Sequence, residues 1–192
     1  MQCLDRQMRH WSDRLIFDIK ISEEDAQKLA TTIESEVRWL PKEAKDEIRQ
    51  SSPIEIKHRY EELLSFQGWM DIANKFKDNP FIVRAQVIVQ NYICFVYLNE
   101  SCFNVVRKHV SNQSACKKCC KFLLNNPVRA FRNAIAHSNW CYNEDFSCIR
   151  FWARKGATQD EDLHEFEVTN EELSFWQALA RCTAYAVYEN LK

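Results

Sequence analysis

The sequence predicts a mostly α-helical fold with one β-hairpin inserted before the last helix. Three observations carry this. Only two glycines, Gly68 and Gly156, and four prolines punctuate the 192 residues, too few turn residues for an all-β chain. Most of the chain repeats apolar residues at helical spacing behind recognisable helix-start signals. One stretch, residues 146–168, instead clusters aromatic and β-branched residues and alternates with period two. There is no internal repeat, low-complexity segment or linker, so residues 1–192 read as a single domain.

Residues 1–20 carry mixed signals, and Leu15-Ile16-Phe17-Asp18-Ile19 reads as a short strand or the start of packing. Ser22 followed by Glu23, Glu24 and Asp25 is an N-cap with acids in the first turn. That helix should run to about Leu40, where Pro41 stops it and opens a second short helix through Arg49. Ser52-Pro53-Ile54-Glu55 repeats the start signal. The segment behind it, to Lys77, has an apolar stripe through Leu64, Met70 and Phe76 that breaks near Gln67-Gly68. Asn79-Pro80 then precedes a long apolar segment, 81–107, whose length without a turn signal predicts a helix despite its β-branched content. Residues 111–125, rich in Cys and Lys, predict a short helix. Asn126 as cap and Pro127 at the first position start the next one. The strands of the hairpin are expected over 146–153 and 163–168, with Gly156 in a long tip. Thr169-Asn170-Glu171-Glu172 is a capping box for a last helix to about Asn190.

Composition narrows the function classes. Hydrophobic residues at 46% and aromatics at 12% describe a globular chain that buries a core. No glycine pattern of a phosphate-binding or dinucleotide-binding loop occurs. Nine cysteines are an odd number, and the N-terminal residues Asp5, Arg6, Arg9 and Asp13 lack the apolar core of a signal peptide. Reduced thiols in the cytoplasm are therefore expected rather than a disulfide framework. Residues 81–98 are apolar enough to suggest a membrane span, but Arg84, Gln86, Gln90 and Asn91 interrupt them and Glu100 follows. A buried central helix and no membrane contact are expected. The formal net charge of −1 hides a segregation: residues 101–155 hold 10 basic and 2 acidic side chains, residues 156–192 hold 2 and 8. The positive block would attract a polyanion, or would pair with the acidic tail within one chain or across a dimer.

Inside the positive block lies Phe131-Arg132-Asn133-Ala134-Ile135-Ala136-His137-Ser138-Asn139-Trp140. It places a permanent cation, an amide and an imidazole within six residues. Arginine holds a phosphate with a planar fork of donors, and histidine exchanges protons near neutral pH. Together they suffice for metal-free cleavage of a phosphodiester. Residues five apart differ by about 140° around a straight helix, so Arg132 and His137 do not share a face, whereas Asn133 and His137 do. Either the helix ends near Ala136 and His137 swings back, or a second copy faces the first across a two-fold axis and four groups line one cleft.

This run, Arg132-Asn133 followed by three residues and His137, late in a helical chain, resembles the signature of the HEPN superfamily: an arginine, four to six residues and a histidine, usually with a polar residue after the arginine. The long apolar helix before the motif and the closing helix after it fit the same plan; the hairpin at 146–168 is an elaboration. The resemblance implies a HEPN-like helical bundle and a metal-independent endoribonuclease with a composite site at a homodimer interface. It implies RNA as substrate, no cofactor and no metal. Relatives of that kind act as toxins, anti-phage effectors or RNA-processing enzymes, with an antitoxin or nucleotidyltransferase as partner. His137 would act as general base or acid, Arg132 would brace the phosphate, and Asn133 would orient His137 or bind the phosphate. The rival from another class is a non-catalytic binding or assembly module, in which Arg132 is a structural ion pair.

Other residues complete the candidate set. Lys117, Lys118, Lys121, Arg129, Arg107 and Lys108 would track an RNA backbone, or form a solvated face. Trp140 and Tyr142 would stack on a base, or cap the core beside the hairpin. Cys116, Cys119 and Cys120 contain half of a zinc-site spacing, with Cys141, Cys148 or His109 as the remaining donors, but no second Cys-x2-Cys exists and buried thiols are the expectation. Glu100, near the end of the long helix, is placed to pair with Arg132 and fix its direction.

Overall fold

The computed structural model describes residues 23–50, 88–144, 147–154 and 162–191, with further helical positions at 58, 60, 61, 64, 65, 68 and 85. In chain order the elements are α1 (Glu23–Arg38), α2 (Lys42–Gln50), a long helix α3 over 88–109, α4 (Ala115–Leu124), α5 (Val128–Ala136), β1 (Trp140–Tyr142), β2 (Cys148–Ala153), β3 (His164–Thr169) and α6 (Asn170–Glu189). The described chain is mostly helical with a small three-stranded antiparallel sheet, ordered β1-β2-β3. Expectations for residues 1–22, for the helix start at 52–55, for most of the stripe behind it and for the hairpin tip around Gly156 lie outside the described residues.

Helix α6 organises the core. Thr169 Oγ1 accepts from the Glu172 amide while the Glu172 carboxylate accepts from the Thr169 amide, the reciprocal cap that the sequence announces. Alanines at 178, 180, 184 and 186 are buried on it, so neighbouring helices approach closely. Helices α1, α3 and α4 pack on it. Two buried polar contacts fix the register of α6 on α3. Gln177 Nε2 donates to Asn91 Oδ1 at 2.7 Å, and the Ser101 and Tyr188 hydroxyls meet at 3.3 Å. Glu36 of α1 reaches across to α4, where its two carboxylate oxygens accept from the amides of Ala115 and Cys116, both at 2.7 Å. These are amides a helix leaves unsatisfied at its first turn.

Helix α3 is not a uniform α-helix. Residues Tyr92–Tyr97 and Asn99–Phe103 are π-helical, and Asn104–His109 returns to α. The sequence announces the helix through its length and apolarity; nothing in the apolar pattern announces the looser winding.

Two local expectations are corrected. Pro127, not Asn126, is the residue before α5, with its φ of −82° already helical and no side-chain bond of its own to cap the helix, and the Asn125 carbonyl takes the Arg129 amide. The inserted β structure is a sheet and not a lone hairpin, because Trp140, Cys141 and Tyr142 pair with Phe151, Arg150 and Ile149. The β2–β3 pairing itself follows the alternation: Ile149 and Phe151 face the core, and Phe151 stacks on Phe166 at 5.4 Å.

Candidate active site

Helix α5 owes its position to Phe131, which is fully buried and meets three rings edge-on: Phe151 at 5.2 Å, Phe95 at 5.5 Å and Trp176 at 5.8 Å. Burying such a ring contributes about 1.5–3 kcal/mol. With Val128, Phe131, Ala134 and Ile135 turned inward, the next residue, Arg132, emerges about 100° around the helix, at the boundary between core and solvent.

The guanidinium of Arg132 is held on two sides. Its Nε and one terminal nitrogen donate to Asn133 Oδ1 at 3.2 and 2.9 Å. The other terminal nitrogen donates to Asn99 Oδ1 at 3.2 Å and to Glu100 Oε1 at 3.0 Å. The ion pair with Glu100 is therefore present. These four contacts engage four of the five N–H donors of a guanidinium. Asn99, buried and also accepting from Asn104 Nδ2 at 3.0 Å, is the partner that sequence reading missed. The available signal was a polar pair, Asn99-Glu100, interrupting an apolar helix.

The helix ends where the motif does. The Asn139 amide bonds back to the Ala134 carbonyl at 2.9 Å and the Ser138 amide to that of Ile135 at 3.3 Å, while Ser138 takes a left-handed φ of 58°. This crossed pair is a Schellman stop, made here without the glycine that usually occupies the left-handed position. His137 is thereby the C-cap, with an exposed ring. Of the two geometries open to the motif, the helix does end at Ala136, yet no hydrogen bond or ion pair joins His137 to Arg132 within the chain. Asn133 turns its oxygen to Arg132.

The remaining candidates divide. Lys118 and Lys121 are exposed on α4. Lys117 folds back so that Nζ donates to the Arg107 carbonyl, and Lys108 pairs with Glu47 at 2.7 Å. Arg129 is half-buried on α5. Trp140 and Tyr142 meet edge-on at 6.0 Å and pack against the core, and burial pushes the Tyr142 phenol up; they cover the core beside the sheet. Cys116, Cys119, Cys120 and Cys182 lie buried between α4 and α6. Burial pushes the Cys119 thiol up to about 11 and the Cys182 thiol up to about 12. Among the described residues no three His, Cys, Asp or Glu side chains converge as a metal site. No helix among them is long and apolar enough to cross a membrane.

Comparison with protein-family models, with curated proteins and with solved structures finds no match to this chain.

Proposed function

We propose that this chain is a HEPN-type, metal-independent endoribonuclease whose active site is completed by a second copy of itself. The observation that carries the reading is the pairing of a half-buried, four-fold anchored Arg132 with an exposed His137 held at a fixed helix stop five residues on. A preoriented guanidinium stabilises charge that builds on non-bridging phosphate oxygens without having to reorganise. In the proposed reaction His137 of one copy takes the proton of a ribose 2′-hydroxyl, whose oxygen attacks the adjacent phosphorus. His137 of the other copy gives a proton to the departing 5′-oxygen. The P–O5′ bond breaks as the P–O2′ bond forms, leaving a cyclic phosphate and a free 5′-hydroxyl. The need for a 2′-hydroxyl selects RNA over DNA. Lys118 and Lys121, exposed on the neighbouring helix, would contact the RNA backbone.

Such an enzyme acts as a toxin or anti-phage effector when unrestrained, and an antitoxin or nucleotidyltransferase partner would hold it in check. A composite site makes a specific demand. Because the reaction draws on His137 of both copies, a dimer that pairs wild type with His137→Ala should be inactive. Equal amounts of the two, unfolded together and refolded, leave a quarter of the dimers wild type instead of the half present before exchange, so the rate should fall about twofold on exchange. An unchanged rate from a mixture shown to exchange subunits would rule out the composite site.

The Glu100–Arg132 ion pair supports a second reading, in which Arg132 is structural and the chain is a non-catalytic HEPN-like binding or assembly module. Growth arrest on expression, relieved by His137→Ala, separates the two: a module leaves growth unchanged with either chain.

A further inference from the structure

A pocket of about 410 Å³ opens where the end of α4, the start of α5 and the first turns of α6 meet. Its apolar lining is Phe122 from α4, Pro127 ahead of α5, and Phe175 and Trp176 from α6. Trp176 is buried and held edge-on against Phe131 and Phe95, which makes it a rigid wall. Phe122, 36% exposed, and half-buried Phe175 meet at 5.9 Å with their planes at 75°, so the two rings stand nearly at a right angle. Among the described residues, the charged ones that line this pocket are Glu171 and Glu172. Each stands four residues ahead of a ring on α6, Glu171 before Phe175 and Glu172 before Trp176, and residues four apart share a helix face. The helix cap occupies Glu172 Oε2, which accepts from the Thr169 amide and hydroxyl, both at 3.0 Å. Glu172 Oε1 accepts no bond among the described residues.

We propose that this pocket binds a small organic cation, a substituted ammonium whose charge sits among the rings and the two carboxylates. Aromatic faces attract a cation through their negative quadrupole, and rings set at a right angle meet it from two sides. The alkyl substituents of such a cation leave water against Phe122, Pro127 and Phe175, while the glutamates answer its charge. The partial positive charge of the α6 N-terminus opposes a cation, but it is about half a charge and the two carboxylates in that turn outweigh it. The same carboxylates repel an anion, which keeps an RNA backbone out of the pocket. Small-molecule sites enclose about 300–1,000 Å³, and this volume lies in that range, so a free amine fills it. Pro127 precedes α5 and His137 closes it, so the pocket and the candidate base lie at opposite ends of one helix. Binding of the cation therefore does not depend on whether the chain cleaves RNA.

The test is a titration of the full chain followed by nuclear magnetic resonance, reading the amide signals of residues 169–176. Choline is the probe, and dimethylbutanol, its uncharged isostere with carbon in place of nitrogen, is the control. Choline should move these signals to saturation and bind roughly tenfold more tightly than the alcohol. Glu171→Gln combined with Glu172→Gln should weaken choline by a similar factor and leave the alcohol unchanged. Glutamine still serves a capping box, so the helix start survives in that variant. Phe175→Ala, checked for helicity by circular dichroism, should weaken both probes. Glu167→Gln, at an exposed carboxylate on β3, should bind choline as wild type does. No shift with choline, equal affinity for choline and the alcohol, or choline binding unmoved by the double glutamine variant would overturn the proposal. So would a lysine-rich peptide that moves these signals when choline does not, because the occupant would then be a protein segment.

Discussion

Asn133→Ala should cost far more RNA cleavage than Glu100→Ala, although Glu100 carries the formal charge. The Glu100 carboxylate is 67% exposed against 25% for the Arg132 side chain, so water competes for its end of the ion pair. Pairs of that kind contribute about 0.2–1 kcal/mol. Asn133 Oδ1 instead accepts two bonds from the half-buried guanidinium, at 3.2 and 2.9 Å. Hydrogen bonds to a charged group contribute about 1.5–3 kcal/mol. If the direction of Arg132 governs transition-state stabilisation, Asn133→Ala should lower kcat/KM roughly 10- to 100-fold, and Glu100→Ala at most about fivefold. Asn99 Oδ1 keeps hold of the second terminal nitrogen in both variants, so neither should reach the loss seen with Arg132→Ala. The assay is single-turnover cleavage of a fluorescent oligoribonucleotide pool in EDTA, with thermal midpoints as a folding control. An equal cost for the two variants, or an Asn133→Ala rate within twofold of wild type, would refute the claim that Asn133 positions the arginine.

Two further outcomes follow from the same geometry. Ser138 sits at a φ of 58°, where a side chain costs about 1–2 kcal/mol and glycine nothing. Ser138→Gly should therefore raise the thermal midpoint by roughly 2–4 °C, as expected for about 1 kcal/mol in a chain of this size, and a lowered midpoint would show that the serine is not strained. Hydrogen bonds from Lys108 and His109 hold the Glu47 carboxyl below its ordinary 4.5. A depressed folded-state value adds stability above the ordinary value and loses it as pH falls through the folded one. The advantage of wild type over Glu47→Gln in urea denaturation should hold at pH 6 and shrink below pH 4.5. An advantage that survives unchanged to pH 3 would contradict the link.

The legible parts of this chain are those whose signal is local. The capping box at Thr169 and Glu172 involves residues three apart and forms as read. Helix α3 is legible through its length, and the pairing of β2 with β3 through its alternation. What stayed hidden depends on partners distant in sequence. Strand β1 is three residues long, too short for a period to show, and exists because β2 lies beside it. Asn126 has the chemistry of a cap, but the chain turns into α5 through Pro127. In the candidate site, Arg132, Asn133 and His137 were legible as a motif and Glu100 as a partner by topology. Asn99 was not, because its inward direction comes from the π-helical winding of α3. The reach of Lys117 back to the Arg107 carbonyl has no local signal either, because the two residues are ten apart on different helices.

The central claim is that Arg132 and His137 cleave RNA without a metal. Its most direct test is incubation of total RNA with the purified chain in EDTA, beside Arg132→Ala and His137→Ala purified identically. The account predicts fragments ending in cyclic phosphate from the wild type and intact RNA from both variants. Intact RNA from a folded, dimeric wild type, or equal cleavage by all three proteins, would contradict it.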